Sequence, residues 1–135
     1  MIVYIFYDKQ ESFNSGILMA RVLIVDDNRF DRELLQSMLD QEKHETFQAK
    51  DGFEALEAIH NFNPDIILLD IYMPDKEGIE TINEIIELFP DLPIVIISSA
   101  DSFYLKMAME LGAKHSFTKP PDPIELNEVI LQLTN

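Results

Sequence analysis

Apolar residues fall into two alternating patterns along the chain. Val22-Leu23-Ile24-Val25, Ile66-Ile67-Leu68-Leu69 and Ile94-Val95-Ile96-Ile97 are unbroken apolar runs rich in β-branched side chains. Runs of this length and composition predict strands buried on both faces, as in a parallel sheet. Between them apolar residues recur at helical spacing. Phe30, Leu34, Leu35, Met38 and Leu39 mark one helix; Phe53, Leu56, Ile59 and His60 a second; Ile79, Ile82, Ile85 and Ile86 a third. Phe103 or Tyr104, with Met107, Ala108 and Leu111, mark a fourth, and Leu126, Val129, Ile130 and Leu133 a fifth.

Two weaker segments complete the alternation. Thr46 to Ala49 places Phe47 and Ala49 on one face and reads as an edge strand, and Lys114 to Thr118 reads as a short last strand. Asp51-Gly52, Met73-Pro74 and Gly78 punctuate the pattern, and Gly112 stops the fourth helix in the C′ role. Strand and helix thus alternate from about residue 20 to the end. That order predicts an α/β fold: an open five-stranded parallel sheet, doubly wound, with helices on both faces. No internal repeat or low-complexity tract interrupts it.

Residues 1–19 stand outside the alternation as an amino-terminal extension, and 20–135 form the domain. Met1 to Tyr7 could be a strand, followed by the turn-rich Asp8 to Gly16. Either this is a genuine extra strand or arm, or Met19 is the native start. The apolar stretch is short, has no basic lead and meets Asp8 at once, so it does not resemble a signal peptide.

Bulk properties narrow the chemistry. The 135 residues suffice for one hydrophobic core. The net charge of -15 repels phosphate backbones and anionic lipids, so direct binding of nucleic acid or membrane is not expected. With no cysteine there are no disulfides or thiolate metal sites. No apolar stretch is long enough to span a bilayer.

Ligands of open parallel sheets sit beyond the carboxyl ends of the strands. Asp26-Asp27, Asp70, Ser98 and Lys119 all fall at such ends. Carboxylates gathered there repel; two charges 4 Å apart cost about 4 kcal/mol at an effective dielectric near 20. A hard divalent cation relieves that repulsion, and oxygen ligands without His or Cys suit magnesium. Each residue alone has a plainer use. Asp26 or Asp27 could cap the helix starting near Arg29, and Asp70 could open a turn. The three histidines share no ligand spacing; His44 and His60 are expected on surface elements and His115 in a short strand.

Leu23-Ile-Val-Asp-Asp-Asn28, Asp65-Ile-Ile-Leu-Leu-Asp-Ile-Tyr-Met-Pro74, Pro93-Ile-Val-Ile-Ile-Ser98 and Gly112-Ala113 through Lys119-Pro120 together resemble the receiver domains of bacterial response regulators, of the single-domain chemotaxis-regulator kind. The resemblance runs from about Arg21 to the end. It implies a flavodoxin-like strand order 2-1-3-4-5. It implies that Asp70 accepts a phosphoryl group, with Mg2+ held by Asp27 directly, by Asp26 mostly through water, by Asp70 and by the backbone carbonyl of Tyr72. Ser98 matches the switch hydroxyl, with Ser99 the alternative, and Lys119 the phosphoryl-binding lysine. The Lys119-Pro120 bond is expected to be cis.

The implied partners are a histidine kinase or phosphotransfer protein and a downstream protein target, with a homodimer left open. The implied location is cytoplasmic. The chain would catalyse only its own phosphorylation and dephosphorylation. A receiver-fold interaction module without phosphorylation is the alternative, and an aspartyl-phosphate hydrolase a third reading that lacks an obvious substrate pocket. Three positions depart from the pattern. Ser116 stands where a switch aromatic is common, Pro121 follows Lys119-Pro120 in place of Phe, and the stretch from Ser98 to Gly112 is one residue short. The last predicts a remodelled loop and helix.

Overall fold

A computed structural model describes residues 19–72, 78–99 and 102–135. The expected strand at Met1–Tyr7, the Met73-Pro74 break and residues 75–77 and 100–101 lie outside the described residues.

The strands are β1 (Arg21–Val25), β2 (Glu45–Ala49), β3 (Ile66–Leu69), β4 (Ile94–Ser98) and β5 (His115–Thr118). The helices are α1 (Arg29–Gln41), α2 (Gly52–Phe62), α3 (Gly78–Leu88), α4 (Ser102–Leu111) and α5 (Pro123–Thr134). The strands form one parallel sheet in the order β2-β1-β3-β4-β5, the flavodoxin-like arrangement implied by the resemblance. The chain reverses its direction of winding at β1, so the crevice beyond β1 and β3 is the switch point where such sheets bind ligands.

Alternate residues of the central strands feed two cores. Leu23, Val25, Ile67, Leu69, Ile94 and Ile96 pack under Ala55, Ala58 and Ile59 of α2, Ile82 and Ile85 of α3 and Ala108 of α4. Val22, Ile24, Ile66, Leu68, Val95 and Ile97 pack under Leu35 and Leu39 of α1 and Leu126 and Ile130 of α5. Both faces of β3 and β4 are therefore dry, which is why Ile66 to Leu69 and Ile94 to Ile97 are continuously apolar.

Helix phase differs from the periodicity at three places. Phe30 is 73% exposed and Leu34 lies outside the α1 core face. In α2 the buried face is Ala55, Ala58 and Ile59, with Phe53 and His60 exposed. In α4 it is Leu105, Ala108 and Leu111, with Phe103 and Tyr104 turned out. Phe30, Phe53 and Phe103 each occupy the first turn of a helix that follows a strand. The first turn starts beyond the sheet's edge, where no strand lies beneath it to cover an aromatic ring.

Local signals account for the helix ends. Asn28, Asp51 and Asp122 are the N-caps of α1, α2 and α5, each accepting from the backbone N–H three residues on. Gly112 closes α4 at φ 130°, donating to Met109 O, while Ala113 donates to Ala108 O. That pair of bonds is the Schellman ending expected of a C′ glycine.

His44 corrects the expectation of a surface histidine: it is 5% exposed. Its Nδ1 accepts the Ala20 N–H at 3.0 Å. The ring proton therefore sits on Nε2 and is donated to Asn127 Oδ1, 2.6 Å away. The imidazole thus ties the entry to β1 to α5. His44→Phe fills the space but leaves the buried Ala20 N–H without an acceptor. It is expected to lower unfolding stability by about 1–3 kcal/mol. An unchanged urea midpoint would show that the N–H finds another partner.

Candidate functional site

Three backbone bonds extend the sheet one residue past its strands. Asp26 N–H donates to Ala49 O, Asp70 N–H to Val25 O and Lys119 N–H to Ser98 O. Each strand end is thereby pinned level with its neighbour, about 4.8 Å away. The side chains at those ends meet. Carboxylate oxygens of Asp26, Asp27 and Asp70 all lie within 4.8 Å of one another. Asp26 and Asp70 are buried and Asp27 is exposed.

Asp70 is held at both oxygens. Its Oδ1 accepts from Ser98 Oγ at 2.7 Å and from the Tyr72 backbone N–H at 3.0 Å. Its Oδ2 accepts from Lys119 Nζ at 2.9 Å. Of the two candidate hydroxyls, Ser98 is the one on Asp70; Ser99 is exposed. The N-cap of α1 is Asn28, so neither Asp26 nor Asp27 has that task. Asp26 Oδ1 instead accepts the Asn28 N–H at 2.9 Å. The Lys119-Pro120 bond is cis.

A model of the response regulator receiver domain matches residues 22–131. The chain belongs to the receiver-domain family of response regulators. It is 37% identical over 104 residues to the chemotaxis protein CheY of Halobacterium salinarum, covering 76% of this chain and 87% of that one. A solved CheY-like receiver from Methanospirillum hungatei superposes with a TM-score of 0.78 at 29% identity, covering 84% of this chain and 92% of that one. The receiver domain of Thermotoga maritima CheB gives 0.77 at 32% identity, covering 87% and 97%. Other curated relatives are longer: the chain spans 32% of the protein-glutamate methylesterase of Bacillus subtilis and 49% of the response regulator MprA of a Mycobacterium.

The receiver's site is electrostatically unbalanced. Lys119 Nζ lies 2.7 Å from Asp26 Oδ2, 2.9 Å from Asp31 Oδ2 and 2.9 Å from Asp70 Oδ2. Three carboxylates thus crowd one ammonium, and Asp27 adds a fourth beside Asp26 and Asp70. Burial pushes the Asp26 carboxyl above its ordinary value and the Asp70 charge adds to this, against the opposing pull of Lys119 and the Asn28 N–H. Burial alone would lower the Lys119 ammonium, but Asp26, Asp31 and Asp70 outweigh it and raise it well above the usual lysine value.

Asp26 Oδ2 is fully buried and has no aligned hydrogen-bond donor; the close Lys119 ammonium is a charge contact only. A buried carboxylate oxygen so placed is short of a partner. With the all-oxygen donor set of Asp26, Asp27 and Asp70, this fits a hard divalent cation such as magnesium.

Two participants escaped the sequence pattern. Asp31, in the first turn of α1, reaches Lys119, 88 residues away. An acid in a helix's first turn is ordinary in sequence, and only the fold reveals its partner. Arg32 donates from Nη1 to Asp26 O at 2.8 Å and steadies the turn that carries the acid pair. At the rim, Tyr72 and Tyr104 meet edge to face with ring centroids 5.5 Å apart, and Tyr104 meets Phe103 likewise. Ser116 is half-buried on β5.

Proposed function

We propose that this receiver accepts a phosphoryl group on Asp70 from the phosphohistidine of a partner kinase or phosphotransfer protein. The observation that carries this is the grip on Asp70: a hydroxyl and an ammonium already at its two oxygens, beside two further acids with room for a cation. Asp70 attacks phosphorus, the P–N bond to the donor imidazole breaks, and the imidazole leaves with the electron pair and takes a proton from solvent. Asp26, Asp27, Asp70 and the Tyr72 carbonyl would hold magnesium. Bound there, the ion supplies charge neutralisation for the incoming phosphoryl oxygens. Ser98 and Lys119 hold the transferred group by hydrogen bonds, the lysine's being charge-assisted.

Beyond its own phosphorylation and dephosphorylation the domain catalyses nothing in this reading, and it acts in the cytoplasm. Among the described residues no helix is long and apolar enough to cross a membrane. A groove of about 250 Å³, lined by Phe30, Leu34, Leu35, Ile97, Pro120 and Pro121 beside Lys119, offers the donor protein an apolar foothold next to the acceptor. The modified state then biases a surface read by a downstream protein. A receiver-fold module that binds partners without phosphotransfer is the second reading, favoured by serine rather than an aromatic at position 116.

Magnesium titration separates them. The wild-type protein is expected to bind the ion weakly, and Asp27→Ala to lose that binding. Amide exchange with beryllofluoride plus magnesium is expected to slow around Asp70, Ser98 and Lys119. Wild-type protein with neither response would leave only the interaction module.

A further inference from the structure

Lys119 has more acceptors than a phosphoryl-binding lysine can keep. An ammonium has three N–H donors, and three carboxylates crowd this one: Asp26, Asp31 and Asp70. Modification takes the carboxylate charge off Asp70, so a phosphoryl oxygen arriving there competes with the two acids that stay charged, Asp26 and Asp31, for the ammonium. The two differ in what release would cost. The side chain of Asp26 is 2% exposed, whereas that of Asp31 is 31% exposed. In the metal-free protein Asp26 Oδ2 is buried with the ammonium as its close charge partner, so parting from Lys119 would strand that charge away from water. Asp31 sits in the first turn of α1, where the helix dipole favours a carboxylate and water can reach it.

We propose that Asp31 is a releasable restraint on Lys119, holding the ammonium in the unmodified receiver and surrendering it to a phosphoryl oxygen when Asp70 is modified. Asp31 is thus a positioning residue that touches neither the phosphoryl group nor the cation. It raises the cost of the modified state and keeps Lys119 extended over the acids before a donor arrives. This rests on the phosphoacceptor reading of Asp70.

Beryllofluoride binding at saturating magnesium tests the exchange, using the full chain. Asp31→Asn, which keeps the shape and drops the charge, is expected to tighten binding about fivefold, the scale of one partly exposed ion pair. Asp31→Glu keeps the carboxylate and is expected to stay near wild type. Glu33→Gln removes a charge from the same helix that pairs with Arg29 rather than Lys119, and is expected to change binding less than about twofold. A second readout needs no cation. The Lys119 Nζ protons, followed by 15N NMR in the metal-free protein, should exchange faster with water in Asp31→Asn than in wild type. Binding unchanged or weakened in Asp31→Asn, an equal effect in Glu33→Gln, or an Nζ signal indifferent to the substitution would each overturn the exchange. Failure of wild type itself to bind beryllofluoride would instead overturn the phosphoacceptor reading, and the exchange with it.

Discussion

Labelling by acetyl phosphate with magnesium is expected to vanish in Asp70→Asn. The substitution keeps the volume and planarity of the side chain and removes the nucleophilic oxygen. Neither neighbouring acid is placed to replace it. Asp26 is turned into the Asn28 N–H and against Lys119, and Asp27 is exposed. Neither receives the Ser98 hydroxyl, which is on Asp70. The loss should not come from unfolding. Removing one of four crowded carboxylates relieves repulsion in the metal-free protein, so Asp70→Asn is expected to melt at or above the wild-type temperature. Phosphate incorporation and a thermal melt on the same preparation check both halves. Labelling that persists at the wild-type level would remove Asp70 from the acceptor role, and a melt far below wild type would assign the loss to structure.

The strands were the most legible part of the molecule. Val22 to Val25, Ile66 to Leu69 and Ile94 to Ile97 are dry on both faces, and a segment buried on both faces has no polar position with which to mislead. Existence of the helices was equally plain, but their phase was not. Periodicity counts an apolar residue as inward-facing, and Phe30, Phe53 and Phe103 break that rule because each sits past the end of the sheet. All three, with Tyr72 and Tyr104, lie toward the end of the sheet that carries the acids.

For the site, residues at strand ends could be read because topology fixes where strand ends go. Side chains that join it from a helix could not. Asp31 shows why, and His44, outside the site, repeats the lesson. Each looks solvated locally, and each owes its role to a residue 83 or more positions away, Lys119 for the first and Asn127 for the second. Ser98 was favoured over Ser99 in the sequence, but the choice stayed open for a related reason. Adjacent residues on a strand point to opposite faces, and only the register of β4 against β3, Leu69 beside Ile96, determines which hydroxyl reaches Asp70.

Gly78→Ala is expected to be the most damaging single-methyl change in the described structure. A Cβ at Gly78 would lie 2.2 Å from Ile71 Cα and 2.6 Å from Ile71 C and O. These are backbone atoms immediately after the acceptor, and the Gly78 N–H donates to Ile71 O at 3.0 Å. No rotamer relieves such a clash. Either α3 backs away, opening the contacts of Ile82 and Ile85 with the sheet, or Ile71 moves and drags Tyr72 with it. The second route weakens the Tyr72 N–H bond that holds Asp70 Oδ1. The expected loss of stability is about 3 kcal/mol or more, the upper range for overpacking. Gly112→Ala makes a useful comparison. Its φ of 130° strains any side chain, but the nearest atom to its Cβ is the mobile tip of Ile86, at 2.9 Å, so the expected loss is smaller, about 1–2 kcal/mol. Urea unfolding of the two variants should order them in that way, and only Gly78→Ala should also weaken beryllofluoride binding, because only Gly78 leans on the backbone that orients Asp70. Equal losses, with both variants binding normally, would mean that the Ile71 backbone yields without moving Asp70.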